Sequence, residues 1–150
     1  MLNEVDFPLT NSQISEFILD EGYTTYFKLQ QALSELLESG FIREESTHHR
    51  TFYHLTEDGA ETIHYFTNDI SPSIQHDIDE FLKEKHYELK NEMSVKADYF
   101  ENSNMEYSVR CQVIEQGLPL IDLTVTAPTE SEAATIANNW QKRNQEIYAL

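Results

Sequence analysis

Apolar residues recur at helical spacing, then alternate, then return to helical spacing, and this happens twice along the chain. Ile14, Phe17 and Ile18 share one helical face. Thr10 with Gln13 forms a capping-box pair before them, Leu9 can staple onto Ile14, and Gly22 supplies a stop, so a helix is predicted from Asn11. A second helix is predicted over Thr25–Ser39 with Leu29, Ala32, Leu33, Leu36 and Leu37 as its buried stripe. Gly40 stands where a left-handed residue ends such a helix, with Leu36 and Phe41 placed for the accompanying apolar contact. The period then falls to two. Phe41–Arg43 lead out, Ser46–Arg50 form a polar tip and Thr51–Leu55 lead back, a predicted β-hairpin. Thr56 caps the next helix, with Glu57 and Asp58 in its first turn and Ile63, Phe66 and Ile70 on its buried side.

In the second half, Ser71–Pro72 opens a helix carrying Ile74, Ile78, Phe81, Leu82 and Leu89 to about Lys90. Alternation over Met93–Tyr99, Tyr107–Ile114 and Leu120–Ala127 predicts a three-stranded antiparallel meander. Thr129 then opens a last helix whose Ala133, Ile136, Ala137, Trp140, Ile147 and Tyr148 are expected to cover that sheet. The fold class is therefore α+β. Residues 1–70 are expected to form a winged helix-turn-helix domain, since two tightly joined helices, a hairpin and a closing helix follow in that order. Residues 71–150 are expected to form a linking helix and a small three-stranded antiparallel sheet covered by the C-terminal helix, for dimerisation or sensing.

Specific stretches carry a resemblance. LQQALSELLESGFI at Leu29–Ile42 and YHLTEDG at Tyr53–Gly59 resemble the recognition helix and wing exit of PadR-like and MarR-like bacterial transcriptional regulators. NSQISEFILDEGYTTYFKLQQALSELLESGFI is similar to a family of bacterial winged-helix proteins classed as a domain of unknown function, and that similarity extends over most of the chain. Such domains usually carry a helix before the capping box. Only Met1–Val5 stand in its place here, so the first helix is expected to be truncated and its packing surface covered by something else.

Charge complicates the function that this resemblance implies. The 150 residues hold 27 Asp plus Glu against 10 Lys plus Arg, a formal net charge of −17. Residues 1–70 contain only Lys28, Arg43 and Arg50 as cations, for a balance of −10. A polyanion is repelled by such a chain as a whole. The acids are nevertheless missing from Gly22–Ser34 and Ser46–Thr56, the two segments a winged helix lays on DNA. Ala133–Gln145 is acid-free as well and has no such role. If double-stranded DNA is the partner, Gln30, Gln31 and Ser34 are the expected base-edge readers, because a Gln amide can bond adenine in a bidentate manner. Thr24, Thr25 and Lys28 would meet phosphates, and His48, His49 and Arg50 the flanking backbone. Ordinary solvation of the same side chains is the competing reading. With so few cations, a homodimer is expected to be needed for useful affinity. The alternative function is a winged-helix protein-interaction module that docks a basic protein and leaves DNA alone.

Other chemistry finds little support in the residue pattern. The histidines lack the i, i+4 pairing of a zinc hydrolase, no Gly-rich phosphate loop or nucleophile elbow is present, and no metal, cofactor or catalytic residue is expected. Cys111 alternates with Tyr107, Val109 and Val113 and reads as a small buried hydrophobe. Asp98 and Asp122 either meet across the sheet or face solvent. Tyr99, Tyr107 and Trp140 either line a small-molecule pocket or belong to the core. No apolar run reaches the roughly 20 residues of a membrane span and no signal-peptide pattern opens the chain, so a cytoplasmic protein without membrane contact is expected.

Overall fold

The computed structural model describes residues 1–149, and side chains through residue 147; the side chain of Tyr148, expected to cover the second sheet, lies outside the described ones. Among the described residues, five α-helices and two three-stranded antiparallel sheets make a mixed α+β architecture. They divide into two compact units, Met1–Ser46 with Arg50–Leu89, and Thr47–His49 with Lys90–Leu150.

In the first unit, a single 3-10 turn at Leu2–Glu4 stands where the truncated helix was expected. It is followed by β1 (Leu9–Thr10), α1 (Asn11–Asp20), α2 (Tyr26–Glu38), β2 (Ile42–Ser46), β3 (Thr51–Leu55), α3 (Glu57–Phe66) and α4 (Pro72–Ser94), the last beginning in this unit. The Thr10 capping box is formed in full: Gln13 N–H donates to Thr10 Oγ1 at 3.1 Å and Thr10 N–H to Gln13 Oε1 at 2.8 Å. Both α1 and α2 close with the paired carbonyl captures that a left-handed glycine allows. Gly22 (φ 69°) lets the Tyr23 N–H reach Ile18 O at 3.1 Å, and Gly40 (φ 73°) lets the Phe41 N–H reach Leu36 O at 3.0 Å. The first sheet has the order β1-β3-β2, so the hairpin gains a third strand of two residues, with Leu9 opposite Tyr53 and Thr10 opposite Phe52. Two residues are too few for an alternation to register in sequence.

Leu9, Ile14, Phe17, Leu29, Leu33, Ile42, Phe52 and Leu82 are buried. Phe81 of α4 packs on Phe17 with ring centroids 4.9 Å apart, and His86 sets its ring edge on Phe7 at 5.7 Å. These contacts explain why α4 belongs to the first unit as far as Leu89. Three expected core positions differ. Ala32 and Leu36 on α2 and Phe66 on α3 are exposed, Phe66 by 56%. Leu36 and Phe66 both line an apolar cavity of about 310 Å³, together with Leu2, Ile18, Leu33 and Ile63.

The exit from β3 is fastened to the end of α2 through one residue. The Thr56 hydroxyl donates to Gly40 O at 2.7 Å and Phe41 O at 2.9 Å, the Thr56 N–H donates to Phe41 O at 3.1 Å, and Thr56 Oγ1 accepts the Gly59 N–H at 3.1 Å as the cap of α3. Gly59 is required by this closeness, because a Cβ there would lie 2.0 Å from Phe41 O.

The second unit contains β4 (Val95–Glu101), β5 (Tyr107–Glu115), β6 (Leu118–Ala127) and α5 (Glu130–Arg143), with sheet order β4-β5-β6. The β5–β6 turn has positive φ at Gln116 (50°) and Gly117 (78°), the two-residue geometry that suits the twist of a hairpin. Thr129 caps α5, accepting the Glu132 N–H at 3.3 Å. Val95, Ala97, Tyr99, Val109 and Cys111 on the strands face Ala133, Ala137 and Trp140 on the helix, and this cluster is the core of the unit. The helix cover expected from the sequence is therefore present.

Candidate functional site

The N-terminal turn of α2 is the exposed polar surface of the first unit that most resembles a contact face. Thr25 caps it, its Oγ1 receiving the Lys28 N–H at 3.4 Å, and the positive end of the helix dipole there favours anionic groups. Phe27, Gln31 and Ser34 follow at i, i+4 and i+7 on one exposed side, with Lys28 exposed beside them. Thr24 is half-buried in the preceding turn. That turn is anchored from behind, since the Tyr23 hydroxyl donates to Asp77 Oδ2 at 2.5 Å and this bond pushes the Tyr23 phenol up to about 12.

Gln30 lies differently from Gln31 and Ser34. Its amide exchanges hydrogen bonds with Asn11, at 2.9 Å and 3.2 Å, and Asn11 also donates to the Tyr53 hydroxyl at 3.0 Å. Gln30 thereby joins α1, α2 and β3 and has its amide engaged inside the unit. Gln31 reaches along its own helix to Glu35 Oε1 at 2.9 Å, which brings a carboxylate to the edge of the α2 face. The acid-free sequence window ends one residue before it.

The hairpin tip also divides. Thr47–His49 group with the second unit, where the His48 ring stacks on Tyr99 with centroids 4.1 Å apart and His48 Nδ1 meets the Asp98 carboxylate. The His48 N–H also donates to Asp98 Oδ1, at 3.3 Å. Partial burial acts to raise the Asp98 pKa, but the His48 ring and the backbone N–H groups of His48 and Tyr99 outweigh it and hold the carboxyl below its ordinary value. His49 is exposed and Arg50 half-buried. On β2 the carboxylates Glu44 and Glu45 precede the tip, Glu45 paired with His54 at 3.1 Å.

Cys111, Asp98, Asp122, Tyr99 and Trp140, weighed in the sequence for other chemistry, have structural surroundings. Cys111 is buried, and burial pushes its thiol up to about 11. Asp98 and Asp122 lie on the two outer strands with β5 between them; Asp122 is held by Arg110 in a two-point pair at 3.0 and 2.7 Å and by Gln112 at 3.0 Å. Tyr99 and Trp140 are core residues, Trp140 donating its indole N–H to Gln112 O at 3.1 Å. Among the described residues, no three His, Cys, Asp or Glu side chains cluster as metal ligands, and no helix is long and apolar enough to cross a membrane.

Sequence reasoning missed the aromatics of this face. Tyr26 is 57% exposed and Phe27 86% exposed at the start of α2. The available signal is that Phe27 falls off the Leu29–Leu33 stripe, which leaves a large ring with no core to enter; Tyr26 lies on that stripe, in the first turn of the helix.

A family model described as a domain of unknown function matches residues 1–150 of the chain. No curated protein and no solved structure matches it.

Proposed function

The chain belongs to that family, DUF4364, and from its own residues we propose that it is a winged-helix transcriptional regulator of PadR-like and MarR-like type that binds duplex DNA through α2 and the β2–β3 hairpin, as a homodimer. The observation that carries the reading is the acid-free first half of α2, where Phe27, Lys28, Gln31 and Ser34 stand exposed. Lys28 and the helix N-terminus suit a phosphate, Gln31 and Ser34 suit base edges, and Phe27 suits a thymine methyl. Gln30 holds α2 on α1 and β3, so its role is to position the reading face. The order helix, helix, hairpin, helix supports the winged-helix assignment, and so does the Thr56 junction that ties hairpin exit to helix end.

Fluorescence anisotropy with mixed-sequence duplex DNA tests this. At about 50 mM salt, where phosphate attraction is strong, binding is expected, and it should weaken on raising salt with a shallow slope because few cations are present. Lys28→Glu should weaken binding to all sequences alike and flatten the salt slope by about one. No binding at low salt refutes the reading.

A second reading is favoured by the same exposed rings. Tyr26 and Phe27, in a chain of net charge −17, also suit a basic protein partner with an apolar anchor site. Under it, DNA does not bind at any salt concentration, and Phe27→Ala abolishes capture of the partner.

A further inference from the structure

The two edges of the second sheet are unlike. The outer strand β4 carries Lys96, Asp98 and Glu101, and Asp98 receives the hydrogen bonds from His48. Such charges and contacts are the usual means of keeping a strand edge from pairing with another chain. The opposite edge is β6, and among the described residues no strand pairs with its outer side. Over Leu118–Ala127 it holds one charge, Asp122, which Arg110 of the neighbouring strand neutralises. Leu118 and Leu120 are 68% and 54% exposed. Pro119 and the irregularity that leaves Leu120 without a ladder partner guard only its beginning. From Ile121 to Ala127 the backbone donors and acceptors of the outer edge are presented without a bulge, proline or lysine.

We propose that β6 is a self-association edge and that its occupant is β6 of a second copy, joined antiparallel about a two-fold axis into one six-stranded sheet. The strand is self-complementary in a register centred on Leu123. With Leu123 opposite Leu123 of the second copy, Ile121 faces Val125 on the helix-covered side, and Asp122 faces Thr124 on the open side. Paired residues in an antiparallel ladder share a face, so this register joins apolar to apolar side chains and sets the one carboxylate against a hydroxyl. A register shifted to put Asp122 opposite its own copy is repulsive. Two chains of charge −17 repel over most of their surfaces, and the β6 edge is a neutral strip by which they can meet. The two-fold operator makes one strand supply both halves of the interface, so no second protein is needed.

The interface stands on β6 alone and deepens the dimer named above without depending on DNA. Sedimentation velocity from about 1 to 100 μM is expected to show a monomer–dimer equilibrium in the wild-type chain. Val125→Lys is expected to raise the dimer Kd at least tenfold, although it lowers the net negative charge. The register is read by cross-linking. Asp122→Cys and Thr124→Cys proteins, each oxidised alone, have no thiol opposite, whereas their mixture should yield a covalent heterodimer, because directly opposed residues lie within disulfide reach. The native Cys111 is buried and takes no part. If Val125→Lys loses its native circular dichroism, the cross-link decides. A wild-type chain monomeric throughout the range, or a dimer whose mixed cysteine variants do not cross-link, overturns the proposal. A monomer that still binds duplex DNA overturns the interface and leaves the DNA reading standing.

Discussion

Gly59→Ala is the substitution whose sign distinguishes local from tertiary control of the first unit. On an isolated helix the change favours folding by about 0.8–1.0 kcal/mol, since alanine loses less backbone freedom. In this protein the added Cβ would lie 2.0 Å from Phe41 O and 2.9 Å from Leu55 Cδ1. The first of these is a backbone atom and cannot swing away. Relief requires α3 to withdraw from the end of α2, which lengthens the bonds from the Thr56 N–H and hydroxyl to Phe41 O, now 3.1 and 2.9 Å. Two hydrogen bonds at about 0.5–1.5 kcal/mol each, with about 1–3 kcal/mol for overpacking, outweigh the propensity gain and leave a net loss near 3 kcal/mol. Urea unfolding followed by circular dichroism at 222 nm measures this, and fluorescence of Trp140, the only tryptophan, follows the second unit in the same samples. Gly22→Ala is the comparison. Nothing lies within 4 Å of its Cβ position, and only the positive φ of 69° opposes it, for about 1 kcal/mol. A Gly59→Ala protein as stable as wild type, or more so, refutes the close approach of α3 to Phe41.

Three further outcomes are expected. Ala32→Leu, at the rim of the 310 Å³ cavity, should stabilise the first unit by about 0.5–2 kcal/mol in urea unfolding, and a destabilised variant would mean that the cavity is already filled. Tyr23 should be the last tyrosine to ionise in a spectrophotometric titration. Its folded pKa of about 12 exceeds the ordinary 10.0, so the stability it contributes is whole below pH 10 and is lost as pH rises toward 12. Tyr23→Phe should remove that alkaline loss; unchanged alkaline unfolding argues against the Asp77 bond. Cys111 should resist a thiol-specific disulfide reagent at pH 8 in the native state and react once urea unfolds the second unit, while prompt native labelling would contradict its burial.

Much of the architecture was legible in sequence because its signals are local. Thr10 with Gln13, and Gly40 between Leu36 and Phe41, specify helix ends through contacts within six residues, and the structure makes those bonds. The three strands of the second sheet and the helix that covers it were readable from alternation and one cap. What escaped was decided at long range. β1 is two residues whose identity as a strand comes from Tyr53 and Phe52, more than forty positions away. Leu36 and Phe66 lie on the helical faces expected of them but line an apolar cavity and remain exposed. For the candidate site, the sequence located the acid-free segment of α2 but not the direction of its side chains. Helix phase sends Gln30 inward to Asn11 and Phe27 outward, and a single period of 3.6 starting at an uncertain residue does not separate neighbours. The engagement of His48 by Asp98 and Tyr99 depends on a sheet fifty residues further along the chain.

The cover of the second sheet carries a different kind of information. α5 meets its strands through Ala133 and Ala137, both with no exposed surface, so at these two positions helix and sheet enclose a single methyl group. Variation there runs in one direction. Glycine or serine fits the gap, and any longer side chain must push the whole helix off Val109 and Cys111. A library randomised at those two positions and selected for folding should therefore return a short alphabet of small residues, while half-buried Ile136 tolerates several apolar types. The identity of this helix is written mainly in how little its inner residues occupy.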